Sequence, residues 1–442
     1  MPLSNDDTPI TPGIDVSTSE GILIYGADSG SVARQLKTDS VGNLIVDVPD
    51  NHQTQFNQLR VANPFTMADY VNKYGFDSID FSSSSVGSGA IVSVTSQSAI
   101  RLSATAGSTD RARIRSNTYY RYQAGKQQVI KQTAYITGGG KANQISRWGY
   151  YDDSNGLFFA LSGSNFGFYR RTSAIGGTVS ETFVSQSSFN IDKFDGTGIS
   201  GVLLNLTKSN IFEIRFQWLG VGNIELLINN QLAHRIYNPN TIAGPYMQTA
   251  TLPIAAEIEN VAASTANELV FICSSVESEG GQTPPKYTFG AYNSTDVATT
   301  TTERPLLAIR PGTLFRGLDN RVVGIPVRFA VSTEGSRSGF RLVINPTTLT
   351  GGSWVSASSG NSAFEYNEGA TAFTGGETLY RGFLPNTNDS SDVEIVGFFD
   401  YNARVLRLNG FATAVDTLLI TGVNESAGTT QMRASITWQE IR

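Results

Sequence analysis

Charge, cysteine and histidine are the scarce things in this 442-residue chain. Only 16% of residues are Asp, Glu, Lys or Arg, against roughly a quarter in an average soluble domain. A surface so poor in charge must be covered by Ser, Thr, Asn, Gln and Gly, which suits sheets and turns and excludes long exposed helices laced with Glu and Lys. The net charge of −6 excludes a chain-wide basic face for coating nucleic acid. The single cysteine, Cys273, excludes an intramolecular disulfide, and its setting in Glu268-Leu-Val-Phe-Ile-Cys-Ser reads as a buried small hydrophobe. Two histidines, His52 and His234, have no metal-ligand neighbours at a useful spacing, so no zinc site is expected. No apolar run approaches the ~18 residues of a membrane span, and Met1-Pro-Leu-Ser-Asn-Asp-Asp has no signal-peptide pattern.

What is present is β-type sequence. Short β-branched or aromatic runs such as Val129-Ile-Lys-Gln-Thr-Ala-Tyr-Ile, Ile224-Glu-Leu-Leu-Ile and Val327-Arg-Phe-Ala-Val alternate with Gly, Asn, Asp, Ser and Pro. In Ile211-Phe-Glu-Ile-Arg-Phe-Gln-Trp, Phe212, Ile214, Phe216 and Trp218 share one face and Glu213, Arg215 and Gln217 the other, as in a half-buried sandwich strand. Helical spacing occurs only in Phe65-Thr-Met-Ala-Asp-Tyr-Val-Asn-Lys-Tyr, enough for two turns. The expected fold is all-β: an extended N-terminal arm over residues 1–58, a lectin-like β-sandwich over 59–283, and a second β-sandwich over 284–442, of jelly-roll or concanavalin-like type. In the arm, Ile22, Ile24 and Tyr25 are expected to pair with Leu44, Val46 and Val48 and to anchor the protein to a neighbour, because such an edge needs a partner.

The motifs that would carry catalysis are weak. Gly138-Gly-Gly-Lys141 lacks the first glycine and the Ser/Thr of a phosphate loop and reads as a hairpin turn. Asp152-Asp-Ser-Asn-Gly and Asp192-Lys-Phe-Asp-Gly-Thr-Gly gather oxygen donors as calcium loops do, but lack the distal glutamate, so Asx turns are the better reading. No Gly-x-Ser-x-Gly accompanies His234. Arg111, Arg113 and Arg115 fall on one strand face, expected to be solvated or to meet an acidic partner surface in preference to binding phosphate. The clusters Tyr119, Tyr120, Tyr122 and Trp148, Tyr150, Tyr151 are the candidates for stacking a sugar or a partner, against the alternative that they are core. No catalytic residue, metal or cofactor is assigned.

Several phrases together resemble a family of β-rich structural proteins of tailed bacteriophages and other large DNA viruses. They include Arg60-Val-Ala-Asn-Pro-Phe, Tyr122-Gln-Ala-Gly-Lys, Trp148-Gly-Tyr-Tyr-Asp-Asp-Ser-Asn-Gly-Leu-Phe-Phe, Asn190-Ile-Asp-Lys-Phe-Asp-Gly-Thr-Gly-Ile-Ser-Gly and Tyr246-Met-Gln-Thr-Ala-Thr-Leu-Pro-Ile. Arg341-Leu-Val-Ile-Asn-Pro-Thr and Ser435-Ile-Thr-Trp-Gln-Glu extend the likeness into the second half. Leu36-Lys-Thr-Asp-Ser-Val-Gly-Asn-Leu-Ile-Val-Asp-Val is similar to N-terminal segments of phage virion proteins. The resemblance implies a virion component and leaves its place within the particle open; the leading expectation is a non-enzymatic structural protein, a capsid or neck decoration or a tail fibre or spike subunit. Its partners would be other virion proteins and further copies of itself, a trimer being expected for a fibre-like role because closed cyclic assembly buries strand edges. A glycan- or receptor-binding adhesin is the alternative, with a polysaccharide-degrading tail enzyme behind it.

Overall fold

The computed structural model describes residues 64–442 apart from 175–176, 219, 239–242, 282–283, 286, 386–388, 396 and 400–403, together with two short strands nearer the N-terminus. The chain divides into two units, residues 1–60 and 61–442. Within the first, Tyr25–Ala27 pairs antiparallel with Ala33–Gln35, Tyr25 opposite Gln35. Tyr25 thus has a nearer partner than the expected Leu44–Val48 run. Ile22, Ile24, Leu44, Val46 and Val48 lie outside the described residues.

The second unit is all-β. Among the described residues there is no α-helix, only single 3-10 turns at Asn72–Tyr74, Thr95–Gln97 and Gln186–Ser188. The expected helix around residues 65–74 is instead the strand Pro64–Val71, paired antiparallel with Asn267–Glu279. Here a neighbouring strand overrides a weak local periodicity.

The first sandwich packs a seven-stranded against an eight-stranded antiparallel sheet. The seven run in spatial order Ser180–Ser185, Asn165–Thr172, Gly156–Ser162, Gln144–Tyr151, Ile254–Asn260, Arg111–Ser116 and Phe81–Val86. The eight have Asn267–Glu279 near their centre, flanked by Gln128–Ile136 and Ala99–Ala104. Between the sheets lie Trp148, Phe159, Phe166, Phe212, Ile214 and Phe216, all buried, with Trp148 edge-on to Phe212 at 4.9 Å. The Asn210–Phe216, Ile224–Ile228 and Gln231–Ile236 meander is as expected, and its second turn is made by Asn229 and Asn230 at φ of 51° and 65°. That left-handed conformation is one asparagine tolerates.

Two expectations change. Gly138–Lys141 is not a hairpin turn, because Gln128–Ile136 and Gln144–Tyr151 belong to opposite sheets and the turn crosses between them. The Phe212 strand is also buried on both faces. Glu213 and Arg215 pair with each other at 2.5 Å, and Arg215 sits in a cross-strand row with Glu225 and Arg235. A buried carboxylate is tolerated when it is paired in this way.

The second sandwich sets a five-stranded sheet around Thr430–Ile441 against a six-stranded sheet around Arg304–Pro311 and Leu418–Asn424. Thr430–Ile441 alternates as its sequence suggests, with Met432, Ala434, Ile436 and Trp438 buried. At its end the buried Glu440 accepts hydrogen bonds from Ser362 Oγ at 2.6 Å and Arg442 at 2.6 Å.

The two sandwiches meet through a turn at residues 407–411. Gly410 N–H donates to Asn117 Oδ1 at 3.1 Å and to Ser82 Oγ at 3.2 Å. Its carbonyl accepts from Tyr119 Oη at 3.3 Å. Phe411 lies under the guanidiniums of Arg113 and Arg115, at 4.5 and 4.8 Å. A Cβ on Gly410 would fall 2.8 Å from Arg115 O and 2.9 Å from Ser116 O, both backbone atoms. Gly410→Ala should therefore cost about 1–3 kcal/mol as an overpacking change. Chemical unfolding checks it, and a stability equal to the wild type would show that the sandwiches can separate at this turn without penalty.

Candidate functional site on the outer face of the seven-stranded sheet

The structure buries all six aromatic candidates, which corrects their reading as exposed sugar contacts. Trp148 and Tyr150 point into the core, and the Tyr150 hydroxyl sits 2.8 Å from the Tyr120 carbonyl. The Tyr120 hydroxyl hydrogen-bonds that of Tyr70. Tyr122 stacks on Phe216 and donates to Lys126 O at 2.9 Å. Tyr119 lies at the contact between sandwiches, with the Arg321 guanidinium 3.8 Å from its ring centroid. Burial pushes the Tyr119 hydroxyl up to about 12. Tyr151 alone of the six reaches the outer face of the seven-stranded sheet, because neighbouring residues in a strand point to opposite sides.

That outer face is built in rows across the strands. One row runs Ser82, Arg115, Ala255, Gly149, Phe158, Tyr169, Phe183. The next runs Ser84, Arg113, Glu257, Arg147, Ala160, Gly167, Ser185. On the other side of the first row, Gly156 lies between Tyr151 and Arg171, and Arg171 faces Glu181. Small residues along the middle leave room for large ones beside them.

Into that space the aromatic rings form a ladder. Tyr151 and Phe158 have centroids 4.6 Å apart, Phe158 and Tyr169 stack at 5.4 Å, and Tyr169 and Phe183 follow at 4.6 Å. The Arg171 guanidinium lies 5.0 Å from the Phe158 centroid and ion-pairs with Glu181 at 2.7 Å. The ladder is closed at Tyr151 and Phe158 and opens at Phe183, which is 38% exposed.

Beside the ladder the charges alternate. Arg147 pairs with Glu259 at 2.5 Å and approaches Glu257 at 4.0 Å. Arg113 and Arg115 both reach Asp153, at 3.1 and 2.8 Å. The arginine row therefore meets a carboxylate of its own chain, where a solvated face or an acidic partner surface was expected. Burial opposes ionisation of Asp153, but Arg115 and Arg113 outweigh it and hold the carboxyl below its ordinary value. At Glu257 burial prevails over Arg147 and raises the carboxyl. The Tyr151 hydroxyl is raised by burial and by Glu257, and it has no hydrogen-bond partner among the described residues.

A second concavity, a cleft of about 380 Å³, lies between the sandwiches and is lined in part by Asn117, Asn345, Arg404, Arg407 and Asp416. Its polar groups mostly serve the fold. Asn345 Nδ2 donates to Asp416 Oδ1, Arg407 NH2 to Ile79 O, and Arg404 to Glu377 Oε2. Ligand sites favour such interfaces, but these donors and acceptors are already engaged.

The remaining motifs resolve as turns or packing. Asp192 accepts the N–H groups of Phe194 and Ser200, and Asp152 those of Ser154 and Asn155, so both acidic loops are Asx-turn structures. His234 Nδ1 accepts from Asn190 N–H. Cys273 is half-buried, more open than expected, with Sγ 3.3 Å from Thr133 Oγ1. Among the described residues no group of three His, Cys, Asp or Glu could hold a metal ion, and no helix is long and apolar enough to cross a membrane.

No protein-family model matches the chain, and no curated protein matches it. Among solved structures, the potassium-bound carbohydrate recognition domain of Emp46p aligns at 10% identity and TM-score 0.30, covering 46% of this chain and 96% of that one. The endo-β-1,4-glucuronan lyase of the fungus Trichoderma reesei aligns at 9% identity and TM-score 0.32, covering 47% and 93%. An endo-acting O-glycanase of the human gut microbiota aligns at 11% and 0.34, covering 46% and 94%. Likenesses of this size transfer neither a partner nor an activity.

The raised Glu257 carboxyl has a measurable consequence. Its native pKa lies above its unfolded value, so its contribution to stability is full below the unfolded pKa and is lost as pH rises through the native one. Glu257→Gln mimics the protonated form. The melting temperature of the variant minus that of wild type should therefore grow between about pH 4.3, the reference carboxyl value, and neutrality. A constant difference across that range would show that Glu257 titrates normally.

Proposed function

We propose that the chain is a recognition component of a bacteriophage or related virus particle that binds a glycan on the host surface without turning it over. The reading of the sequence as a virion component rests on the resemblance of its phrases to phage structural proteins. The recognition reading rests on one observation: the aromatic ladder opens at Phe183, next to Tyr169 and the Arg171–Glu181 pair. A ring face complements the apolar face of a sugar, as aromatic surfaces do. A guanidinium and a carboxylate held beside it supply donors and acceptors for the flanking hydroxyls. The paired charges keep both groups oriented before a ligand arrives, which lowers the ordering cost of binding.

In this proposal residues 1–58 attach the protein to other virion proteins and the first sandwich carries the reading face. Phe183→Ala and Tyr169→Ala should each weaken binding on a glycan array at least tenfold, while the melting temperature of the exposed Phe183 variant stays near that of wild type. Unchanged binding in both variants would sink the site, and release of reducing ends from a bound polysaccharide would replace binding with hydrolysis. The virion assignment is checked separately by mass spectrometry of purified particles. The full chain should be present in them and a chain lacking residues 1–58 absent.

A further inference from the structure

The first sandwich has five edge strands among the described residues, Pro64–Val71 beside Asn267–Glu279 and four more, and three of those four are contacted on their open side. Gln231–Ile236 is bridged by the segment after Phe189: Ile191 and Asp192 N–H donate to Ala233 O, and Asn190 bonds both sides of Arg235. Ala90–Val94 receives the Phe76 N–H on Ser93 Oγ. Phe81–Val86 is held by the second sandwich through Ser82. The fourth, Ser180–Ser185, pairs with Asn165–Thr172 on one side and has nothing on the other among the described residues. Its first four residues are exposed.

Soluble proteins guard an open edge with lysine, proline, a bulge or an inward charge. This edge has none of them. From Gly177 to Phe189 the sequence holds one charged residue, Glu181, and that carboxylate is already neutralised by Arg171. Val179 and Phe183 are exposed apolar side chains on the same short stretch, 45% and 38%. The register with Asn165–Thr172 runs without interruption, so the strand is regular enough to pair again.

We infer that Ser180–Ser185 pairs antiparallel with the same strand of a second copy of this chain across a two-fold axis at Phe183. A two-fold contact uses the same patch twice, so it must be self-complementary. Centred on Phe183, the pairing sets Phe183 against its own copy, Thr182 against Val184, and Glu181 against Ser185. Each pair then shares a sheet face, as antiparallel pairing requires. No carboxylate faces its own copy, which would be unfavourable, and an aromatic pair forms at the centre. The seven-stranded sheets of two copies become one sheet, and the two aromatic ladders meet end to end. This inference shares Phe183 with the glycan reading: two copies would present one joined ladder, and sedimentation tests the pairing while glycan binding tests the site, so either can fail alone.

Sedimentation velocity on the full chain over a concentration series should show a dimer. Phe183→Cys should form an intermolecular disulfide on oxidation, because facing residues across the axis lie within disulfide reach. Glu181→Cys, displaced from the axis, should not. Phe183→Lys, an exposed change that places like charges on the axis, should give a folded monomer by circular dichroism and sedimentation. A wild-type monomer at every concentration, a trimer, or equal cross-linking at residues 181 and 183 would overturn the inference.

Discussion

Backbone meets backbone where the two sandwiches touch, and Gly410 permits it. Its N–H and carbonyl bond to side chains of the first sandwich, while Arg115 and Ser116 carbonyls close off the space a side chain would need. Everything near the contact is arranged around that approach. Tyr119 is buried by it, and Arg321 stacks on Tyr119 from the second sandwich. Phe411 is placed under two arginines that both pair with Asp153. The arginine row is therefore anchored at one end by the second sandwich and is not free to reorganise. The turn at 410–411 thus ties the outer face of the first sandwich to the second.

The outer face itself shows how a charge-poor chain uses its few charges. Arg147, Arg113, Arg115 and Arg171 each meet a carboxylate and lie over small residues or rings. Long side chains lying flat in this way cover apolar surface with their stems while their heads stay paired. Phe158 is fully buried on what would otherwise be the solvent side of a sheet. The same device recurs in the second sandwich, where Arg310 stacks on Trp354 at 4.0 Å and pairs with Glu365.

Much of the fold was legible in the sequence because period-two alternation is a strong signal when one face is buried. The meander from Asn210 to Ile236 and the strand Thr430–Ile441 were readable in that way. Pro64–Val71 was not, since its helical spacing was accidental and its partner lies about two hundred residues on. The aromatic clusters were visible, but their direction was not. In Trp148-Gly-Tyr-Tyr the two tyrosines must point to opposite faces, a constraint that marks one of them as external without saying which. The ladder through Phe158, Tyr169 and Phe183 depends on the registers of four strands, and no local pattern specifies which residues face one another across them. Gly410 looks like any loop glycine until the distant Arg115 backbone is brought beside it.

The strands Ile254–Asn260 and Asn267–Glu279 are late in the first sandwich and central to both of its sheets. During synthesis the strands from Pro64 to Ile236 emerge before the two that join them. Hairpins such as Gly156–Ser162 with Asn165–Thr172 can form at once, but each sheet lacks its middle until residues 254–279 arrive. Topologies dominated by such distant pairings fold slowly, and partly formed sheets expose edges on which chains aggregate. The yield of native protein should be set by how long that middle stays open, so cooler and slower expression would favour it more than added stability would.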